Sequence, residues 1–276
     1  SAYSAANVGI GMGGLGKLNI NQGNSGNGLC GYDDKMPTAW EETWGAGVGT
    51  GIDLAKGVGS STNINWASPS FSGAVLKIAY SPQNDGVSSA DKVASGANSG
   101  AKGAGYDVVL DINAFGANLF VGGSESNLDP GDTNKKRTSN HQEAVAGFTY
   151  TFGPVKAGVQ KTGEWFGSQK GGEVDYYDNT AWGVSFNVSD DLSISYGELK
   201  SKKGYIGKSQ LTGSLGSWNT ANDMDWMEVK SLQLAYTMGG ASIKIAETSV
   251  DNANYATNLG STFDTDGTTV ALSLAF

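Results

Sequence analysis

Residues Tyr106–Asn113 read YDVVLDIN. Side chains alternate along an extended chain, so Tyr106, Val108, Leu110 and Ile112 share one face while Asp107, Val109, Asp111 and Asn113 share the other. Large apolar groups and carboxylates therefore sit back to back in one strand. A soluble β-sandwich packs dry apolar faces against each other and turns its polar faces outward. A membrane barrel does the reverse, with an apolar exterior and a watery lumen. The rest of the chain decides between the two.

The alternation recurs. In AWGVSFNV, Trp182, Val184, Phe186 and Val188 oppose Gly183, Ser185 and Asn187; in GFTYTFG, Phe148, Tyr150 and Phe152 oppose Thr149 and Thr151. In GTTVALSLAF, Val270, Leu272, Leu274 and Phe276 oppose Thr269, Ala271, Ser273 and Ala275. Thirteen segments follow this period, at about 4–12, 15–22, 61–68, 73–81, 104–114, 117–126, 141–152, 154–165, 176–188, 191–202, 226–238, 241–251 and 267–276. Tight connections at Gly13-Gly14, Gly153-Pro154, Asp190-Asp191 and Gly239-Gly240 contrast with long polar ones at 82–103, 127–140, 166–175, 203–225 and 252–266. Short turns on one rim and long loops on the other mark an outer-membrane barrel. Aromatic residues near strand ends (Tyr80, Phe152, Trp165, Trp182, Trp226 and Tyr236) fit interfacial girdles.

Composition narrows the function classes. The 276 residues include 42 glycines, 5 prolines and one cysteine, Cys30, so no intrachain disulfide can form. Net charge is −9 and Arg137 is the sole arginine, which argues against nucleic acid as a partner. No apolar run is long enough for a transmembrane helix, a test to which barrels are blind. The chain reads as one domain, 1–276, interrupted by a connection at 23–60 that is too long to be a simple turn. Tyr32, Trp40 and Trp44 give that loop material to fold back and pack.

The hairpin VGIGMGG–LGKLNINQG, the loop with YDD and WEETW, the run NINWASPSFSGAVLKIAYSP and the closing ALSLAF together resemble the trimeric general-diffusion porins of Gram-negative outer membranes, in the style of alphaproteobacterial members. The resemblance implies an all-β, antiparallel transmembrane barrel of 16 strands. The thirteen segments would then be strands four to sixteen of an amino-terminally incomplete chain; the alternative is a self-contained barrel of 12–14 strands. It also implies a homotrimer in outer-membrane lipid, assembled by the barrel-insertion machinery, which would read Phe276 as its carboxyl-terminal signal. The function implied is passive diffusion of small hydrophilic solutes and ions. The alternatives are a substrate-selective channel or a secreted β-rich adhesin or surface-layer protein.

In that family the long loop folds inward and sets acids against basic groups on the facing wall. The matching positions here are Asp33, Asp34, Glu41, Glu42 and Asp53 for the constriction. Lys17, Lys77, Asp107, Asp111 and Lys156 have inward parity on the lumen wall. Charge in a confined pore selects ions by sign, and this set predicts a weak cation preference. No enzyme chemistry is expected. The GxGxxG match at Gly9–Gly14 continues into a strand where a nucleotide site needs a helix. Gly207-Lys208-Ser209 lacks the upstream glycine of a phosphate loop, and Asp264–Gly267 reads as a hairpin turn. His141, the only histidine, is expected at a solvent-exposed strand end with no serine partner. No metal or cofactor is expected; calcium would have only clustered loop acids such as Asp129 and Asp132 to bind.

Overall fold

The computed structural model describes residues 6–22, 28–58, 61–82, 102–128, 139–167, 174–205, 224–259 and 263–274. They form one antiparallel sheet of thirteen strands, each paired with its sequence neighbours. In order these are β1 (Ala6–Gly11), β2 (Lys17–Gln22), β3 (Asn63–Ala67), β4 (Ala74–Ser81), β5 (Lys102–Ala114), β6 (Ala117–Leu128), β7 (His141–Phe152), β8 (Val155–Trp165), β9 (Val174–Asn187), β10 (Leu192–Tyr205), β11 (Met224–Met238), β12 (Ala241–Asp251) and β13 (Thr265–Leu274). Every expected segment holds one strand. Two further tight turns join β3 to β4 and β5 to β6, where Gly73 and Gly116 take positive φ.

The expected two faces are present. Val108, Leu110, Val121, Phe148, Val184, Ile194, Leu232 and Val270 are exposed on the outer side, as are all six girdle candidates. An apolar surface of that extent is far beyond what a soluble monomer leaves uncovered. Asp107, Thr149, Gln160, Asn179, Ser195 and Gln233 project the other way and are buried. A helix long and apolar enough to cross a membrane is absent among the described residues.

What buries the inner face is the long loop. Its described part, residues 28–58, opens with a short 3₁₀ turn, Gly28–Tyr32, and then runs along the concave wall. Leu29, Tyr32 and Ala55 pack on Val109, Phe120 and Val145. Met36, Trp44, Ile52 and Leu54 pack on Leu199, Met227, Val229 and Val250. These inward apolar residues interrupt otherwise polar rows, and each interruption marks a landing place for the loop.

The wall also yields room. Gly158, Gly183, Gly197, Ser231, Thr248 and Gly267 are successive cross-strand partners on β8 to β13, forming one track of small residues. The loop lies in it. A Cβ added at Gly183 would stand 2.9 Å from the Pro37 carbonyl oxygen, and one at Gly197 2.3 Å from Thr43 Oγ1. Side chains at these glycines would press the loop off the wall.

Candidate functional site: the constriction loop and its basic recess

The loop is held chiefly by its backbone. Gln160 Nε2 donates to the Tyr32 and Asp33 carbonyls while its Oε1 accepts from Lys35 N at 2.9 Å. Gln233 does the same three strands further on, in β11, accepting from Trp40 N and Glu41 N and donating to the Glu41 carbonyl at 2.8 Å. Ser195 accepts from Ala39 N, Asn179 donates to the Asp53 carbonyl, and Thr269 donates to the Ala46 carbonyl. An irregular segment buried against a wall must satisfy its amides in this way or forfeit several kcal/mol.

Asp107 serves both ends at once. It is fully buried and accepts from Leu29 N at 2.8 Å and from Val58 N at 3.1 Å. Gly28 and Gly57 make the approach possible: both have positive φ, and a Cβ at either would lie within 2.5 Å of that carboxylate. The wall acid expected to charge the lumen is thus a clasp beneath the loop.

Several other acids are likewise engaged. Asp34 accepts from Met36 N and Trp44 Nε1, both at 2.9 Å, and its burial pushes the carboxyl up to about 6. Asp53 pairs with Lys56 at 3.0 Å. Asp33, Glu41 and Glu42 are partly exposed on the loop. Asp111 pairs with Lys77 at 3.6 Å and accepts from the Tyr32 hydroxyl, Asn113 and Asn118.

Lys77 and Lys156 line one recess of about 600 Å³ between the loop and β2 to β8. The loop adds Lys35 to the same recess, a residue that its acidic neighbourhood had hidden in the sequence. Lys17, near the turn after β1, is exposed beside Gly9 and Asn19 and does not line it. Lys35 and Lys77 bracket the Tyr32 ring, with their ammonium nitrogens 5.3 and 4.7 Å from its centroid.

His141 departs from expectation: it is only 2% exposed. Its Nδ1 lies 3.2 Å from Glu143 and its Nε2 2.7 Å from Glu164, two carboxylates directly paired across β7 and β8. Each ring nitrogen thus faces one carboxylate. The physical reason for its burial is the strand register, which sets Glu143 and Glu164 side by side on β7 and β8 with the ring between them. Glu143 in turn accepts from Lys56 N and Gly57 N, so this buried cluster holds the loop's far end. The three donor groups lie within 4.8 Å of one another, but the two ring nitrogens face different carboxylates. Cys30 is half-buried and forms no disulfide, while Phe276, Asp129, Asp132 and Gly207–Ser209 lie outside the described residues.

No protein-family profile matches the sequence, and no curated protein matches it. Solved structures do. The anion-selective porin from Comamonas acidovorans superposes with a TM-score of 0.55 at 12% identity, covering 87% of this chain and 65% of that one. The trimer form of in-vitro folded OmpT, an outer-membrane protein of Vibrio cholerae, gives 0.57 at 12%, covering 86% and 67%. OmpF of Salmonella typhi in complex with daunomycin gives 0.62 at 13%, covering 97% and 77%. The chain thus spans about two thirds of the length of the first two. At such identities the likeness is one of fold, and the fold is that of bacterial outer-membrane β-barrels.

Proposed function

We propose that this chain is a non-enzymatic outer-membrane porin that lets small hydrophilic solutes and ions diffuse through a water-filled channel. The observation that carries this reading is the loop: a long segment pinned by side-chain hydrogen bonds to the inner wall of a sheet whose outer face is apolar. A wall with lipid on one side and water on the other needs that division. The loop then sets the channel's width. Asp33, Glu41 and Glu42, with a net charge of −9, support a weak preference for cations. A homotrimer in Gram-negative outer membranes, with Phe276 as assembly signal, completes the proposal; the trimer form of the Vibrio protein supports the former. The reading calls for no cofactor.

Liposome swelling tests it. Proteoliposomes carrying the native protein should swell in small sugars at rates that fall steeply with solute size. Swelling no faster than in empty liposomes would refute the channel reading. For charge preference, a KCl gradient across a planar bilayer should give a reversal potential on the cation side; one on the anion side would contradict it.

A further inference from the structure

The recess between loop and wall is built for something more specific than water. Lys35, Lys77 and Lys156 line it, and among the described lining residues Asp111 is the one carboxylate. That carboxylate is already committed to Lys77, the Tyr32 hydroxyl and two asparagines. Gathering like charges in a confined space is costly unless an anion shares it. The remaining lining adds the amides of Asn19, Asn65, Asn113 and Asn118, which also bond one another and Asp111, and the Thr149 hydroxyl.

Two of the three ammonium groups meet at the Tyr32 ring. Lys35 is fixed through its backbone by Gln160 and Lys77 by its hydrogen bond to the Tyr32 hydroxyl, and the two flank the same ring. Lys156 enters from β8, beside Asn113, Asn118 and Thr149. One basic group comes from the loop and two from the wall, so a ligand that touches all three bridges the two parts.

We propose that this recess is a binding subsite for small oxyanions carrying two or more negative charges, with inorganic phosphate and phosphate monoesters as the class that fits. Three ammonium groups with surrounding amide donors match an oxyanion with several acceptor oxygens better than they match chloride. The subsite deepens the channel reading and rests on it: such solutes would dwell at the constriction while cations pass along the loop acids. Fixed donors at a narrow point turn diffusion into saturable passage.

The experiment is single-channel recording of the native protein in KCl, with inorganic phosphate added at constant ionic strength. Phosphate should reduce the conductance saturably. In a Lys35→Gln, Lys77→Gln double variant the half-blocking concentration should rise about tenfold or more, as expected for losing two charge-assisted contacts, and the reversal potential should move further toward cations. Lys161→Gln, on the outer face, should leave block unchanged. Open channels that phosphate does not block, or block that the double variant leaves intact, would overturn the subsite. Absence of channels altogether would instead overturn the porin reading, so the two failures are distinct.

Discussion

A single carboxylate, Asp107, decides where the loop begins and ends its course. Replacing it with alanine leaves Leu29 N and Val58 N without their buried acceptor, at about 1–3 kcal/mol for each orphaned donor. The barrel should stay folded while the loop loosens, so Asp107→Ala should raise single-channel conductance and expose residues 28–58 to protease. Asp34 sets a second dependence. Its folded pKa, about 6, lies above its ordinary value of 3.8 because the carboxyl is buried. A raised acid favours the docked loop at low pH, and that contribution is lost as pH rises through about 6. Hydrogen exchange in the segment around Trp44, corrected for intrinsic rates, should therefore quicken between pH 4 and 6, and Asp34→Asn should flatten the change. Neither aspartate's role was visible in the sequence. Parity gave Asp107 its inward side, but nothing local said that a loop would cover it.

Among the elements, strands were legible and the loop's path was not. Period-two alternation is written in every strand because one face meets an apolar medium and the other water or packed polar groups. The path depends on wall partners up to 223 residues away, and its signals are weak when taken singly. Gly158, Gly183 and Gly197 each read as an ordinary small residue; only their register makes a track. Gly183→Leu should push Pro37 and Met36 off the wall, lowering thermal stability and changing conductance, whereas Gly14→Leu, in an open turn, should spare the loop. His141 shows the same limit. It was expected to face solvent because its strand starts there, yet its two carboxylate partners become apparent only when Glu143 and Glu164 are seen to be paired. His141→Ala should leave those two carboxyl groups without the ring between them and loosen Lys56 and Gly57. The expected readout is greater open-channel noise, and a quiet channel with unchanged loop exchange would count against the cluster as an anchor.

At the scale of the molecule, the sheet, its outer apolar belt and its inward loop form one arrangement. The outer belt from Val8 to Leu274 is dominated by large exposed apolar side chains. The inner wall offers hydrogen-bonding groups at most positions, and the loop uses many of them without filling the space, because the basic recess stays open beside it. Heat-dependent mobility in detergent gels should report the barrel: a compact band below its boiling temperature and a slower one above it, where a secreted adhesin would show one position throughout. Conduction by the folded protein is the decisive property. Purified protein added to a planar bilayer should produce stepwise, ohmic conductance increments that grow in the Asp107→Ala variant as the loop is released. Folded protein that inserts yet yields no steps, or steps unaffected when the loop is unclasped, would contradict a channel narrowed by that loop.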